Sequence, residues 1–175
     1  MTPLVELQTK RLRLIALDRE NLRLSLEDAQ SMERNLGLNR GSRVEDEGIE
    51  TAVRQMLAVV VEDEARYLWS THWQVVLREQ NRIVGGLCFK GPPNEAGEVE
   101  IGYGTSSAYR RRGLMTEAVQ ELVRWAFGQP LVLSIVAETD RDNFGSHRVL
   151  RKCGFAPCGD GGQFLWWKIR RSAAD

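Results

Sequence analysis

The stretch Tyr109-Arg110-Arg111-Arg112-Gly113-Leu114-Met115-Thr116-Glu117-Ala118 constrains the fold of this chain more than any other. An alternating, strand-like run from Val99 to Thr105 leads into it, and an amphipathic helical run from Leu114 to Phe127 leads out. A short loop with glycine between a strand and a helix aims several backbone N–H groups at one spot. The partial positive charge of the helix N-terminus adds to them there. Gly113 has no Cβ, so a ligand can come close to its backbone. Arg110, Arg111 and Arg112 set further positive charge around that spot. The junction therefore suits a phosphate or pyrophosphate. Its spacing is neither G-x-x-x-x-G-K-[ST] nor G-x-G-x-x-G, and neither pattern occurs elsewhere in the chain.

Periodicity and breakers lay out the other elements. Gln8 to Leu17 alternates as a strand. Arg19 to Leu36 and Glu45 to Glu62 read as helices, separated by a loop from Gly37 to Arg43. Trp69 to Arg78 and Arg82 to Lys90 form a hairpin around Gln80-Asn81, and Gly91-Pro92-Pro93-Asn94 stops its second strand. Glu98 to Thr105 is the central strand. Gly128 and Pro130 end the helix that starts at Leu114. Leu131 to Thr139 is a strand rich in branched apolar residues, and Asn143 to Cys153 is a helix. Phe155 to Cys158 and Gln163 to Arg170 close the sheet around Gly159-Asp160-Gly161-Gly162. There is no repeat or long linker, so residues 1–175 are expected to form one α/β domain.

Formal net charge is zero, so nothing global favours a nucleic-acid partner. No apolar run has the length of a membrane span, and the first residues, with Glu6 and Lys10, lack the apolar core of a signal peptide. Cys88, Cys153 and Cys158 have no metal-ligand spacing, so no metal is expected. An odd, small number of thiols fits a reducing cytoplasm.

Arg110-x-x-Gly113-x-Met115 resembles the pyrophosphate loop of the GNAT superfamily of N-acetyltransferases, [QR]-x-x-G-x-[GA]. Met115 departs from the small residue of that pattern. It leaves the backbone donor in place and narrows the close approach. A second segment, Asp140 to Phe155, is similar to the same superfamily in Asn143, Ser146, Leu150, Gly154 and Phe155. Asn143 also suits a helix N-cap and Gly154 the residue beyond a helix C-terminus. The opening Thr9-Lys10-Arg11-Leu12-Arg13-Leu14 looks like the first strand of the branch that acetylates ribosomal-protein N-termini.

The resemblance implies a GNAT fold. Its central mixed sheet would have about six to seven strands, flanked by about four helices and splayed at the cofactor site. It also implies acetyl-CoA as cosubstrate and an amine acceptor, either a protein N-terminus or a small molecule. A homodimer is compatible with it. The phosphate-holding residues would be Arg110, Arg111, Arg112, Gly113, Leu114, Met115 and Thr116, with Asn143 and Ser146 at the second helix. Tyr103 and Thr105 would give backbone groups to the pantetheine arm. Gly102 and Gly104 flank Tyr103, weaken ladder pairing and favour a bulge that would open the splay.

Direct transfer needs a neutral amine, donors for the tetrahedral oxyanion and a proton for the leaving thiolate. Glu138 is the expected base, by analogy with a glutamate found at that place in some N-terminal acetyltransferases; Glu100 is the alternative. Either carboxylate, half-desolvated, would have a raised pKa. Either could instead be a solvated strand residue. The tyrosine that serves many relatives as acid is Leu150 here. Ser146, one turn earlier on the same face, or water would then supply the proton. His147 is expected to face solvent or the nucleotide. Trp166 and Trp167 should face opposite sides of their strand, and Trp69 and Trp73 the same side of theirs.

Charge is split along the chain. Asp18 to Glu64 holds twelve acidic and six basic residues, a balance of −6, so the rest carries +6. An acidic wall opposite the cofactor would attract a protonated amine. Alternative readings are an aminoglycoside or polyamine acetyltransferase, a non-catalytic acyl-CoA sensor, and a nucleic-acid module built on Arg110 to Arg112.

Overall fold

The computed structural model describes residues 4–41, 47–62 and 64–172. Its sheet falls into two ladders. The first is antiparallel throughout and contains β1 (Glu6–Gln8), β2 (Leu12–Ala16), β3 (His72–Leu77), β4 (Arg82–Phe89) and β5 (Glu98–Thr105) in that order. The second contains β6 (Ser134–Asp140), β8 (Phe164–Arg170) and β7 (Ala156–Asp160), also antiparallel. Between them β5 and β6 run parallel and pair at only three positions, Glu98 with Ser134, Val99 with Ile135 and Glu100 with Val136. Beyond that point β5 runs on to Thr105 beside β4, and β6 runs on to Asp140 beside β8. The sheet therefore opens into a V whose arms begin at Ile101 and Ala137.

The splay has a different origin from the expected bulge. The β4–β5 register is continuous from Gly85–Thr105 to Phe89–Ile101, so β5 carries no bulge. The irregularity lies one strand away, in the β3–β4 ladder at Val75/Val76. The opening follows from each arm keeping its own outer ladder while the parallel pairing between them stops.

Five α-helices cover the sheet: α1 (Arg19–Glu27), α2 (Ala29–Asn35), α3 (Glu47–Glu62), α4 (Leu114–Phe127) and α5 (Phe144–Lys152). One apolar cluster fills the face under α4 and α5 and includes Leu14, Trp73, Phe89, Ile101, Leu122, Ile135 and Leu150. A second, with Ile15, Leu22, Met32, Val53, Met56 and Val76, lies on the opposite face under α1 to α3. Strand alternation divides the residues between them: Val99, Ile101 and Tyr103 of β5 pack with the first cluster, so Glu98, Glu100, Gly102 and Gly104 belong to the other face.

The eight strands and five α-helices among the described residues exceed the expected count for local reasons. The opening segment bends at Thr9-Lys10-Arg11 and makes two strands, β1 and β2. The run from Arg19 to Leu36 breaks at Asp28. The backbone N–H of Asp28 closes α1 on Leu24, while its carboxylate accepts the N–H of Ser31 at 3.1 Å and caps α2. Trp69 lies in a 3-10 turn, not on the strand with Trp73. Both rings still pack against Trp125, at 4.8 and 5.4 Å between centroids. Trp167 enters the core and Trp166 takes the other face, as alternation requires.

Candidate active site

At the open end of the V, strand β5 passes through a short 3-10 turn into the loop Arg110–Gly113 and then α4. Arg111 has φ 64° and Gly113 has φ 71°, so the loop turns through the left-handed region twice. Such a path aims successive N–H groups into one concavity. Glu117 is the first residue of the helix whose N–H returns to the loop, to the Gly113 carbonyl at 3.2 Å. The N–H groups from Arg111 to Thr116 have no acceptor among the described residues. Six consecutive free donors at a helix N-terminus make an anion site.

Met115 resolves the departure from the family pattern. Its side chain is buried, and its Cε lies 3.1 Å from where a Cβ on Gly85 of β4 would stand. A larger residue at 115 fits because β4 has a glycine beneath it. The side chain turns inward, and the backbone donor stays at the helix N-terminus.

The loop is braced from behind by the start of the chain. Glu117 accepts from Thr9 Oγ1 at 2.6 Å, from the Arg11 backbone N–H at 2.9 Å and from Arg11 Nε at 2.7 Å. Arg11 Nη1 donates onward to the Arg112 carbonyl at 3.1 Å. On the cleft side, Arg110 Nε donates to the Thr105 carbonyl at 3.3 Å, and the Arg112 guanidinium lies over the Tyr109 ring.

The loop, the end of β5 and the start of α5 enclose a cleft of about 960 Å³. Its lining brings together Tyr103, Thr105, every residue from Arg110 to Thr116, Asn143 and Ser146. Asn143 caps α5 by accepting the Ser146 N–H at 3.1 Å. Tyr103 bridges to α5, its hydroxyl donating to the Ser146 carbonyl at 3.2 Å. Burial pushes that phenol well above its ordinary range, so it stays a donor. Arg148, Lys152 and Phe144 also line the cleft, and Phe144 is 64% exposed. The sequence reading overlooked these three. Their spacing of four residues along one helix face is the signal that could have found them.

The proposed carboxylates lie elsewhere. Glu138 belongs to the arm of β6, two residues past the last parallel pair, on the sheet face opposite α4 and α5. It is exposed, without the half-desolvation expected of it. Glu100 shares that face, is partly buried and forms an ion pair with Lys90. Neither lines this cleft. Leu150 is fully buried in the core, so no phenol stands in for it there. His147 is buried at 4% exposure rather than solvent-facing. Its Nε2 lies 3.0 Å from the Asp140 carbonyl, and its ring packs on Trp167 and Phe144. Cys153 packs with its Sγ 3.6 Å from the Thr116 carbonyl, and burial raises its thiol to about 11. Among the described residues no cluster could hold a metal ion, and no helix is long and apolar enough to cross a membrane.

A splayed mixed sheet with a donor-lined strand-to-helix loop at its open end is the architecture of an acyl-CoA-dependent acyltransferase. The chain belongs to the GNAT acetyltransferases: the family described as Acetyltransferase (GNAT) domain matches residues 11–156. It is 32% identical to the uncharacterized N-acetyltransferase YjdG of Bacillus subtilis (strain 168) over 152 residues, 87% of this chain and 90% of that protein. Its fold matches the ribosomal-protein-S5-alanine acetyltransferase of Vibrio fischeri with TM-score 0.66 and 17% identity, over 97% of this chain and 98% of that one. It likewise matches RimL, a ribosomal L7/L12 alpha-N-protein acetyltransferase solved with coenzyme A. There the TM-score is 0.66 and the identity 15%, over 95% and 98% of the two chains. The enzyme is an N-acetyltransferase with acetyl-CoA as cosubstrate.

Proposed function

We propose that this enzyme acetylates a primary amine, a protein N-terminus or a small polar amine, by direct attack on the thioester. The observation that carries the reading is the row of free N–H groups from Arg111 to Thr116 at the mouth of the V. These donors suit the pyrophosphate, with Arg110, Arg148 and Lys152 offering charge to the other phosphate oxygens. The free edge of β5 from Tyr103 to Thr105 suits the pantetheine amides, since the β6 ladder has ended there.

The amine then approaches from the opposite face, between the arm of β6 and the helices α1 to α3. Its lone pair forms the new C–N bond, and the C–S bond breaks to release the thiolate of CoA. Glu138, placed on that face beside the opening, takes the proton from the amine directly or through water. Ser146 lines the cleft near the arms and positions the leaving sulfur, which gains its proton from the hydroxyl or from water. A thiol with an ordinary pKa of about 8.5 needs little help to leave.

The test is amine-dependent release of CoA thiol, with short peptides, polyamines and an aminoglycoside as acceptors. Turnover that rises with amine concentration supports the reading. Thiol release that no amine accelerates contradicts it.

A further inference from the structure

On the face of the sheet away from the cofactor loop, β3 presents two polar side chains, His72 and Gln74, separated by one residue and therefore on the same side. His72 pairs in register with Cys88, and Gln74 with Gly86. On the next strand those positions pair with Gly102 and Gly104 of β5. The two rows end at the opening of the V. The imidazole covers Gly86: a Cβ there would stand 2.2 Å from Cε1 and 2.5 Å from Nε2. On the neighbouring strand Gly104 faces Ile49 of α3, at 3.6 Å by the same measure. Glycine on β4 is what lets a ring occupy this place.

Neither His72 nor Gln74 has a side-chain hydrogen-bond partner among the described residues, and the polar atoms of neither are sealed from solvent, although Gln74 is only 7% exposed as a whole and His72 is partly buried. Two unpaired polar groups that remain open at the rim of the V are free to bond a ligand there. Burial lowers His72 to about 4, so the ring is neutral at physiological pH. It then offers one donor and one acceptor, and the amide of Gln74 offers two N–H donors and a carbonyl acceptor. Cys88 beside them is pushed by burial to about 11 and stays a neutral thiol.

Resting on the transferase reading above, we propose that His72 and Gln74 are specificity residues for the acceptor. They hydrogen-bond a neutral polar group, an amide or hydroxyl, next to the attacking amine. The pair suits a peptide N-terminus or a hydroxylated amine better than an amine with no other polar group, because only the former satisfies both side chains.

The experiment compares kcat/KM for peptides beginning with Ala or Ser, for kanamycin, and for butylamine, in wild type, His72→Phe, His72→Gln and Gln74→Met. Acetyl-CoA affinity and thermal stability are measured alongside. The expected result is that wild type prefers one of the polar acceptors. His72→Phe and Gln74→Met should lower its kcat/KM about 10–100-fold while butylamine and acetyl-CoA binding hold, and His72→Gln should restore part of the loss. An equal loss for butylamine, an unchanged polar acceptor, or a wild type that acetylates none of the polar acceptors overturns the assignment. A wild type that fails to bind acetyl-CoA strikes the cofactor-site reading instead.

Discussion

Arg11 and Glu117 join the bend between β1 and β2 to the first turn of α4, with Arg11 Nε 2.7 Å from Glu117 Oε2. The pair stands directly behind the Arg110–Gly113 loop, since Arg11 also holds the Arg112 carbonyl. The role of the Thr9-Lys10-Arg11 opening follows from this contact. It fixes the peptide that precedes Gly113, and with it the direction of the free N–H groups. Glu117→Gln should therefore weaken acetyl-CoA binding about 10-fold by calorimetry, the scale of a charge-assisted bond spent on preorganisation. An unchanged affinity in the folded variant would remove the bracing role.

The same carboxylate sets a pH dependence. Burial raises Glu117, but hydrogen bonds from Thr9 and from the backbone and side chain of Arg11 outweigh it and hold the group below its ordinary 4.5. A lowered carboxyl contributes stability that is present above the unfolded value and lost as pH falls through the folded one. Thermal unfolding of the wild type should lose stability below pH about 4.5 more steeply than that of Glu117→Gln. Parallel acid limbs for the two proteins would show that Glu117 gives no such contribution.

Gly113 is the residue of the loop least open to change. Its φ of 71° is a conformation that a β-branched side chain rarely adopts. Gly113→Val should abolish measurable acetyl-CoA binding while circular dichroism still reports a folded protein. Undiminished affinity in that folded variant would rule the loop out as the pyrophosphate site.

Glu138 and Glu100 make opposite forecasts. Glu138→Gln should lower turnover about 10²–10⁴-fold, the range for loss of a general base, with acetyl-CoA affinity unchanged. Glu100, held by Lys90, should tolerate Gln with little loss of turnover. The reverse pattern would transfer the role to Glu100.

The acids of the early segment differ in what holds them. Among the described acids, Glu20 and Glu27 pair with Arg23, Glu50 pairs with Arg54, and Asp18 and Asp28 cap helices. Six of the twelve acids of this segment, Glu45, Asp46, Glu47, Glu62, Asp63 and Glu64, stand by sequence at the two ends of the α3 run, and of these 45, 46 and 63 lie outside the described residues. If these acids steer a protonated amine, kcat/KM for cationic acceptors should fall as salt is raised from 0.05 to 0.5 M, by roughly an order of magnitude. A flat salt profile would leave the acids as solubilising groups.

What could be read in advance depended on whether a signal was local. Glu98–Thr105 and Leu114–Phe127 stand where alternation and amphipathic period put them, because each element repeats its own pattern over two or more turns or strand repeats. Asn143 caps α5 because the bond needs only its own neighbours. The break at Asp28 was hidden because an aspartate that both ends and begins a helix looks like one polar residue within a long one. His147 was misjudged because its burial comes from Trp167, twenty residues later in the sequence. The seat of His72 over Gly86 was beyond reach for the same reason, since it depends on register between two strands.

The central claim is that the N–H groups from Arg111 to Thr116 receive the pyrophosphate of acetyl-CoA. A backbone amide NMR titration of the isotopically labelled enzyme with acetyl-CoA tests it most directly. The account predicts that the largest shifts fall on Arg111 to Thr116, followed by Tyr103 to Thr105 and Ser146. Saturation of the enzyme with acetyl-CoA while those loop amides stay in place would contradict it.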